Sequence, residues 1–495
     1  MKSALRWHDH VRINVYWLGL NISAGIITPV LLPYLVALFV SGDQKNTSLA
    51  TVRVLGLIVA MLVQPIAGML SDRNSSRWGK RRPFIFWGTI LDLVFLGIIA
   101  ASPGYIGSAL DGRLLPMLGV STAYVVLIIG MVLLQASSNF AQGALQGLLP
   151  DLVPSDQRGR SSGVKAVLEV VVPALLVIGI GIGPLVDAGR IGFVTAFIGA
   201  SLLLTMLITV LFVHEKPLEH RPAESVREPM LRIVALTAIF VLITQGALWL
   251  VHSGSAYLAT RQISLGLQVA LVGLLGMIAM TGSIFAGVYA GARVGIGRDA
   301  PKHRSFIWWV INRLLFLAAI GSIQGFALFY LSDVLEIKNA ATTTTLLMAV
   351  VALFLMTSAL VGGYLADRIG RKRLVRTACW IAAAGAFMLL FANSIPLVMI
   401  SGVILGIGTG AFMATNWALG TDLVPADQRG RYLGISNLAG AGAGIVGAGI
   451  GGPIADFFNR LQPGLGYLVI FAIYAGLFLV AALTLRFIPE PGQRT

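Results

Sequence analysis

Fourteen apolar runs divide this chain, at 13–40, 50–70, 83–101, 119–149, 163–186, 191–213, 231–254, 265–291, 306–331, 341–366, 374–393, 395–420, 433–455 and 466–487. Each can cross a hydrocarbon core of about 30 Å at the helical rise of about 1.5 Å per residue. A chain in hydrocarbon must satisfy every backbone N–H and C=O within itself, so only helices and closed barrels span it. Only 12% of the residues are charged, against roughly a quarter in soluble domains. The expected fold class is therefore an all-α integral membrane protein with fourteen transmembrane helices.

The net charge of +15 is sorted by loop. With both termini cytoplasmic, 28 of the 36 Lys and Arg residues fall on the inner face and seven on the outer, leaving only Arg313 within a span. That asymmetry follows the positive-inside rule and sets the expected orientation. Basic residues held beside anionic lipid account for the charge, so membrane lipid is the expected partner and nucleic acid is not. The polar start, Met1–Arg12, has no cleavable signal pattern, and the first span is expected to serve as the signal. We expect a monomer in a plasma membrane, the bacterial inner membrane. Cys379 is the one cysteine, and no His, Cys or carboxylate cluster has metal-ligand spacing, so no cofactor, metal or enzymatic centre is expected.

The decapeptide DLVPSDQRGR, Asp151–Arg160, returns as DLVPADQRGR, Asp422–Arg431. A match of that quality marks a duplicated unit. The repeat continues in Gly-Pro-x-x-Asp, at Gly183–Asp187 and again at Gly452–Asp456. Earlier in each copy, Gly68-x-x-x-Asp72-Arg73 with Gly79-Lys80-Arg81-Arg82 corresponds to Gly363-x-x-x-Asp367-Arg368 with Gly370-Arg371-Lys372-Arg373. These loops follow the second and fourth spans of each copy, so spans one to six pair with spans nine to fourteen. Spans seven and eight have no counterpart and read as an inserted hairpin between polar connectors. The expected domains are a six-helix bundle at 1–213, the connectors and hairpin at 214–305, and a second six-helix bundle at 306–495.

The paired G-x-x-x-D-R-x-G-R-K loops resemble the signature of the major facilitator superfamily. The stretch Gln64–Gly68 followed by Ser71–Ile85 resembles the glycoside-pentoside-hexuronide cation symporters and the sucrose-proton symporters. The resemblance implies a two-bundle transporter that works by alternating access, with its solute near the midplane. Two departures matter. Where the sodium-coupled glycoside carriers bind their cation with two Asp residues, this chain has Ala60 and Gln64; where the sucrose carriers have an Asp and an Arg on span four, it has Gln135 and Gln146.

Two sets of loop residues form an expected cytoplasmic gate. One comprises Gly68, Asp72, Arg73, Arg77, Gly79, Arg81, Asp156, Arg158 and Arg160; the other comprises Gly363, Asp367, Arg368, Gly370, Arg371, Asp427, Arg429 and Arg431. Charge-assisted bonds among them and to helix-end carbonyls would bias one conformation of a rocking pair, forming when the halves meet on that face. The alternative is a purely topogenic role.

By the resemblance, spans one, four, nine and twelve line the solute cavity, which puts Asn21, Thr28, Gln135, Asn139, Gln142, Gln146, Arg313, Gln324, Asn416 and Trp417 at it. On span four, Gln135, Asn139, Gln142 and Gln146 recur at helical spacing and form one face, suited to a hydroxyl-rich solute or to amide bonding between helices. Trp417 could stack on a sugar ring. Asp92, Glu169 and Arg313 are the ionisable residues well inside spans. Asp92 reads as a proton carrier or a structural acceptor, and Glu169 as a coupling acid or the partner of Lys165. Arg313 reads as a solute contact or as a side chain that snorkels to the surface.

These residues point to a secondary transporter of a small solute, a sugar or glycoside, with protons as a possible driving ion. A proton-coupled exporter of amphiphiles and a non-transporting membrane sensor or assembly partner are the alternatives.

Overall fold

The computed structural model describes residues 5–215, 218, 226–261, 263–295, 297, 303–423 and 429–488. Among these, fourteen helices are long and apolar enough to cross a membrane, and there is no strand. They are span one, Trp7–Phe39; two, Lys45–Ser71; three, Arg82–Tyr105; four, Thr122–Leu152; five, Arg158–Gly179; six, Ile191–Phe212; seven, Arg227–Ala259; eight, Leu265–Gly295; nine, Arg304–Asp333; ten, Ala340–Ala366; eleven, Arg371–Phe391; twelve, Ile395–Asp422; thirteen, Gly440–Leu461; and fourteen, Leu465–Phe487. The apolar runs thus located every span, and the helices extend a few residues beyond several of them into polar sequence.

Local chemistry explains the irregularities. Span one widens into a π-helical turn at Ile27–Leu31 and span five does so at Val167–Val171. Each precedes a proline, Pro33 and Pro173, which has no N–H for the carbonyl four residues back, and a π turn relieves the conflict. Gly181 adopts φ +73° and ends span five before a short helix, Ile182–Asp187. Gly79 and Gly370, at φ +104° and +90°, turn the chain into spans three and eleven.

The contacts divide the chain into two units. One comprises Met1–Ser41, Val59–Ile233 and Asn339–Leu346; the other comprises Gly42–Ile58, Val234–Lys338 and Leu347–Thr495. Glycines set the closest approaches inside each. In the first, Gly143 of span four lies against the Gln64 carbonyl of span two. In the second, Phe240 of span seven wedges between Gly287 of span eight and Gly442 of span thirteen; a Cβ at either glycine would come within 2.6–2.7 Å of its ring. Span eight also meets span fourteen, where a Cβ at Gly476 would sit 2.6 Å from the Met277 sulfur. The hairpin that stands outside the repeat is therefore packed into the second unit.

Candidate functional site

Within the first unit, spans one, three and four bury a polar cluster. Asp92 is wholly buried; its Oδ1 accepts from Ser138 at 2.9 Å and from Ser137, while its Oδ2 is buried without a hydrogen-bond partner. One turn away, Tyr16 and Thr89 share a hydrogen bond of 2.6 Å. An undonated carboxylate oxygen in a bundle interior is a costly arrangement. The span-four amides behave differently from one another. Asn139 is buried, and its Nδ2 donates within the helix to the Gln135 carbonyl at 2.8 Å and to Gln135 Oε1 at 3.2 Å. Gln142 is half-buried and Gln146 is exposed at the helix end. Both Asn139 bonds stay within the helix.

On span one, Asn21 donates to the Trp17 carbonyl at 2.9 Å, and Thr28 stands half-buried in the π turn. Glu169 lies in the other π turn, 3.4 Å from Lys165, whose Nζ sits 3.9 Å above the Trp17 ring. The acid, the lysine and the ring thus form one partly exposed group, held where Pro173 loosens the helix.

The second unit holds a more connected cluster. Asn416 of span twelve is fully buried; its Nδ2 donates to Asn312 Oδ1 at 3.0 Å, and its Oδ1 accepts from Arg313 Nη1 at 3.4 Å. Asn312 donates in turn to the Ala481 carbonyl at 2.7 Å. The Arg313 guanidinium lies 4.9 Å from the Trp417 ring centroid, and Trp417 meets Trp309 edge-on at 6.3 Å. Trp309 donates from Nε1 to the Asn416 carbonyl at 2.8 Å. Amide, guanidinium and indole thus converge from spans nine and twelve. Gln324 lies farther along span nine, beside a void of about 40 Å³.

The loops carry a second constellation, and its bonds fall inside single units. In the first unit Arg81 is buried and donates to Ser71 Oγ at 2.5 Å, to Asp151 at 3.2 Å and to Asp72. Lys80 reaches Asp151 at 3.0 Å. In the second unit Arg371 grips both oxygens of Asp422, at 2.7 and 2.8 Å. The acid that receives the basic loop is thus the first residue of each decapeptide, whereas Asp156 is exposed. Arg158 bonds its own loop, at the Val153 and Pro150 carbonyls, and Arg160 and Arg77 are exposed. Arg368 lies over the Tyr364 ring, 4.5 Å from its centroid. Gly68 and Gly363 sit in the last turns of their helices, and Arg73 follows Asp72 in the turn. Asp427 lies outside the described residues, as do the side chains of Asp367, Arg429 and Arg431.

Some residues escaped the sequence reading. Glu215 accepts from the backbone N–H groups of Arg81 and Arg82, at 2.9 and 3.1 Å, and so anchors the start of span three. Burial raises its carboxyl above the usual range against the lowering effect of those donors. Its one sequence signal was its place just after span six. Arg53 corrects the count that left only Arg313 inside a span. It lies eight residues into span two, its Nη2 donates to the Gly321 carbonyl at 2.9 Å, and its Nη1 is buried without a partner. The apolar run that marks span two begins at Ala50, which made Arg53 look terminal, while the helix begins at Lys45.

A family model described as MFS/sugar transport protein matches residues 18–300, and one described as Major Facilitator Superfamily matches residues 314–495. A general alpha-glucoside permease of Schizosaccharomyces pombe is 28% identical over 220 residues, 42% of this chain and 38% of that protein. The sucrose transport protein SUC3 of Arabidopsis thaliana is 38% identical over 112 residues, 22% of this chain and 19% of its own. The matches thus span less than two fifths of these relatives' lengths. A crystal structure of a D-xylose-proton symporter superposes with a TM-score of 0.62 at 16% identity, covering 98% of each chain.

Proposed function

The chain belongs to the major facilitator superfamily, within its MFS/sugar transport protein family, and from that premise we propose that it carries a sugar or glycoside across a membrane by alternating access. The observation that carries this reading is the Trp309, Asn312, Arg313, Asn416 and Trp417 cluster, where indole faces, amides and one guanidinium meet without a carboxylate in the hydrogen-bonded set. Such a set suits hydroxyl groups and a sugar face. The names of the alpha-glucoside and sucrose relatives point the same way.

The span-four amides and Asn21, Thr28 and Gln324 complete the proposed lining, within bundles at 1–213 and 306–495. Asp92 is the proposed proton carrier, because its undonated oxygen offers a place for a proton; Glu169, held by Lys165, is the second coupling acid. The basic loops face the cytoplasm in this reading, and the Arg81 and Arg371 pairs stiffen the cytoplasmic end of each bundle.

The test is binding and counterflow. Purified protein in proteoliposomes is challenged with radiolabelled disaccharides and α-glucosides, wild type beside Asn416→Ala. Saturable exchange that falls about tenfold or more in affinity in the variant supports the assignment, since a good buried hydrogen-bond set contributes about 1–3 kcal/mol. Exchange of a sugar with unchanged affinity in Asn416→Ala would place the site elsewhere, and the absence of binding across the sugar panel would overturn the solute class.

A further inference from the structure

Spans seven and eight have no counterpart in the repeat and no part in the solute cluster, yet they wall a cavity of about 700 Å³. Its other walls are the start of span two with the turn before it and the last turns of span thirteen, all within the second unit. Spans seven and thirteen end there and span two begins there, so the cavity lies at the end of the unit away from the Arg371 loop. Its volume falls within the roughly 300–1,000 Å³ of ordinary small-molecule sites.

The sequence makes this cavity amphipathic. On span seven, Gln245, Trp249, His252 and Ser255 line it, recurring at four-, three- and three-residue spacing, which sets them on one helical face. Span thirteen does the same with Pro453, Phe457 and Arg460. Each helix thus brings to the cavity both ring carbon and a side chain that can hold a polar group.

The charges around it are not paired with one another. Asp456 is occupied elsewhere: its Oδ1 accepts from Asn46 N at 3.2 Å and its Oδ2 from Thr47 N at 2.6 Å. Asp43, in the turn before span two, and His252 are exposed and have no ion-pair partner among the described residues. Arg460 is exposed as well; its Nε donates to the Asp456 carbonyl at 3.3 Å, and its two Nη groups have no partner among those residues. An acid on one wall and a guanidinium on another complement a ligand that carries both signs, bound by charge-assisted hydrogen bonds.

The flank of span seven beside the cavity is one that hydrocarbon wets. Leu242, Trp249 and Leu250 are 71%, 67% and 57% exposed, and an indole near the end of a span suits the depth of lipid headgroups. We propose that the cavity holds the head of a zwitterionic phospholipid, with Arg460 and His252 on the phosphodiester, Asp43 on the ammonium, and Trp249 and Phe457 against the glycerol region. Pockets between membrane helices are places where headgroups bind. The bound lipid joins the inserted hairpin to spans two and thirteen, whatever the solute.

The test uses the purified chain, stripped of lipid in an uncharged detergent, and reads its unfolding midpoint as dihexanoyl-phosphatidylethanolamine is added. A ligand of the folded state raises the midpoint with its concentration, and the titration yields a dissociation constant. That constant is expected to weaken by about tenfold or more in Arg460→Gln, because a hydrogen bond between charged groups is lost. Asp43→Asn is expected to weaken it by a similar factor while leaving the affinity for dihexanoyl-phosphatidylglycerol, which has no ammonium, unchanged.

Equal affinity of the wild type for the two lipids would overturn the zwitterion assignment, and unchanged affinity in both variants would overturn the site. Glycerophosphoethanolamine carries the same polar groups without acyl chains; if it binds as tightly as the lipid, the site belongs to a soluble phosphodiester and the proposal fails. A photoactivatable phosphatidylethanolamine in lipid nanodiscs tests the wild type without any substitution. Its adducts are expected on residues 245–256 of span seven or 453–461 of span thirteen, and adducts confined to other spans would overturn the proposal.

Discussion

Arg81 and Arg371 occupy corresponding loops and pair with corresponding acids, yet burial predicts that they differ severalfold in strength. Arg81 keeps 6% of its side chain exposed and Asp151 28%, whereas Arg371 and Asp422 keep 34% and 32%. A buried hydrogen bond to a charged group contributes about 1.5–3 kcal/mol, and an exposed ion pair about 0.2–1 kcal/mol. Arg81 meets Asp151 through both Nε and Nη2 at 3.2 Å. With the partial exposure of Asp151 and its second partner Lys80 taken into account, the coupling should be about 1.5 kcal/mol. The Arg371–Asp422 pair should couple by about 0.5 kcal/mol.

Two double-mutant cycles measure these terms, Arg81→Met with Asp151→Asn and Arg371→Met with Asp422→Asn, read by thermal unfolding of the purified protein. For a bundle of about 200 residues that unfolds as a unit, 1 kcal/mol moves the midpoint by about 2–4 °C. Arg81→Met alone, which also releases Asp72 and Ser71, is expected to lower it by about 5–10 °C, and Arg371→Met by about 2 °C or less. Equal couplings in the two cycles, or a larger one for Arg371, would refute the argument from burial.

Glu215 yields a pH prediction. Its carboxyl is raised above the ordinary value of 4.5 by burial. An acid raised in this way binds more protons folded than unfolded, so its favourable share is complete below the ordinary value and is lost as pH rises through the raised one. Unfolding midpoints should fall across that window in the wild type, and Glu215→Gln should flatten the fall; an identical slope in the variant would assign the dependence elsewhere. Arg53→Met is expected to leave stability unchanged or raise it by about 1 kcal/mol, because a partly satisfied buried cation is no better than a well-packed apolar side chain, and a loss above about 2 kcal/mol by thermal unfolding would contradict that. Asp92→Asn should abolish the response of solute uptake to an imposed pH gradient while sparing counterflow; a full response would remove Asp92 from coupling. Trp417→Leu should weaken sugar binding by about tenfold with little change in unfolding midpoint, and unchanged affinity would take the indole out of the site.

The fourteen spans were legible because hydrocarbon imposes a local rule on every one of them, and a run of apolar residues is all that rule needs. Their ends were less so. Arg53 was misplaced because the first turn of span two, Lys45-Asn-Thr-Ser, is polar, and it is polar because Asp456 and Asp333 wait for it in the fold. The cluster at Asn416 and Trp417 was legible as polar residues on the expected spans. Trp309, which ties it to span nine, was not, since an indole in an apolar run looks like any other core residue until its N–H is seen to point at a carbonyl. Glu215 escaped for a similar reason: its partners are backbone N–H groups, which leave no mark in sequence.

What the repeat preserves follows the same physics. Gly183 and Gly452, Asp187 and Asp456, and Asp151 and Asp422 act on backbone or on a basic loop, and backbone at a helix start is the same in both copies. One residue type therefore solves one problem twice, and it persists in both. The residues proposed to meet the solute are under no such symmetry, because a sugar is not twofold symmetric. The first unit offers Asn139 and Gln135 bonded within their own helix, while the second offers an amide, a guanidinium and two indoles joined across two helices. If each side of the solute is read by different chemistry, exchanging a first-unit residue for its repeat counterpart should damage binding, whereas exchanging Gly-Pro-x-x-Asp segments between the copies should be tolerated. Thermal unfolding would register the second exchange, and a loss of folding would show that the two segments are less alike than their geometry.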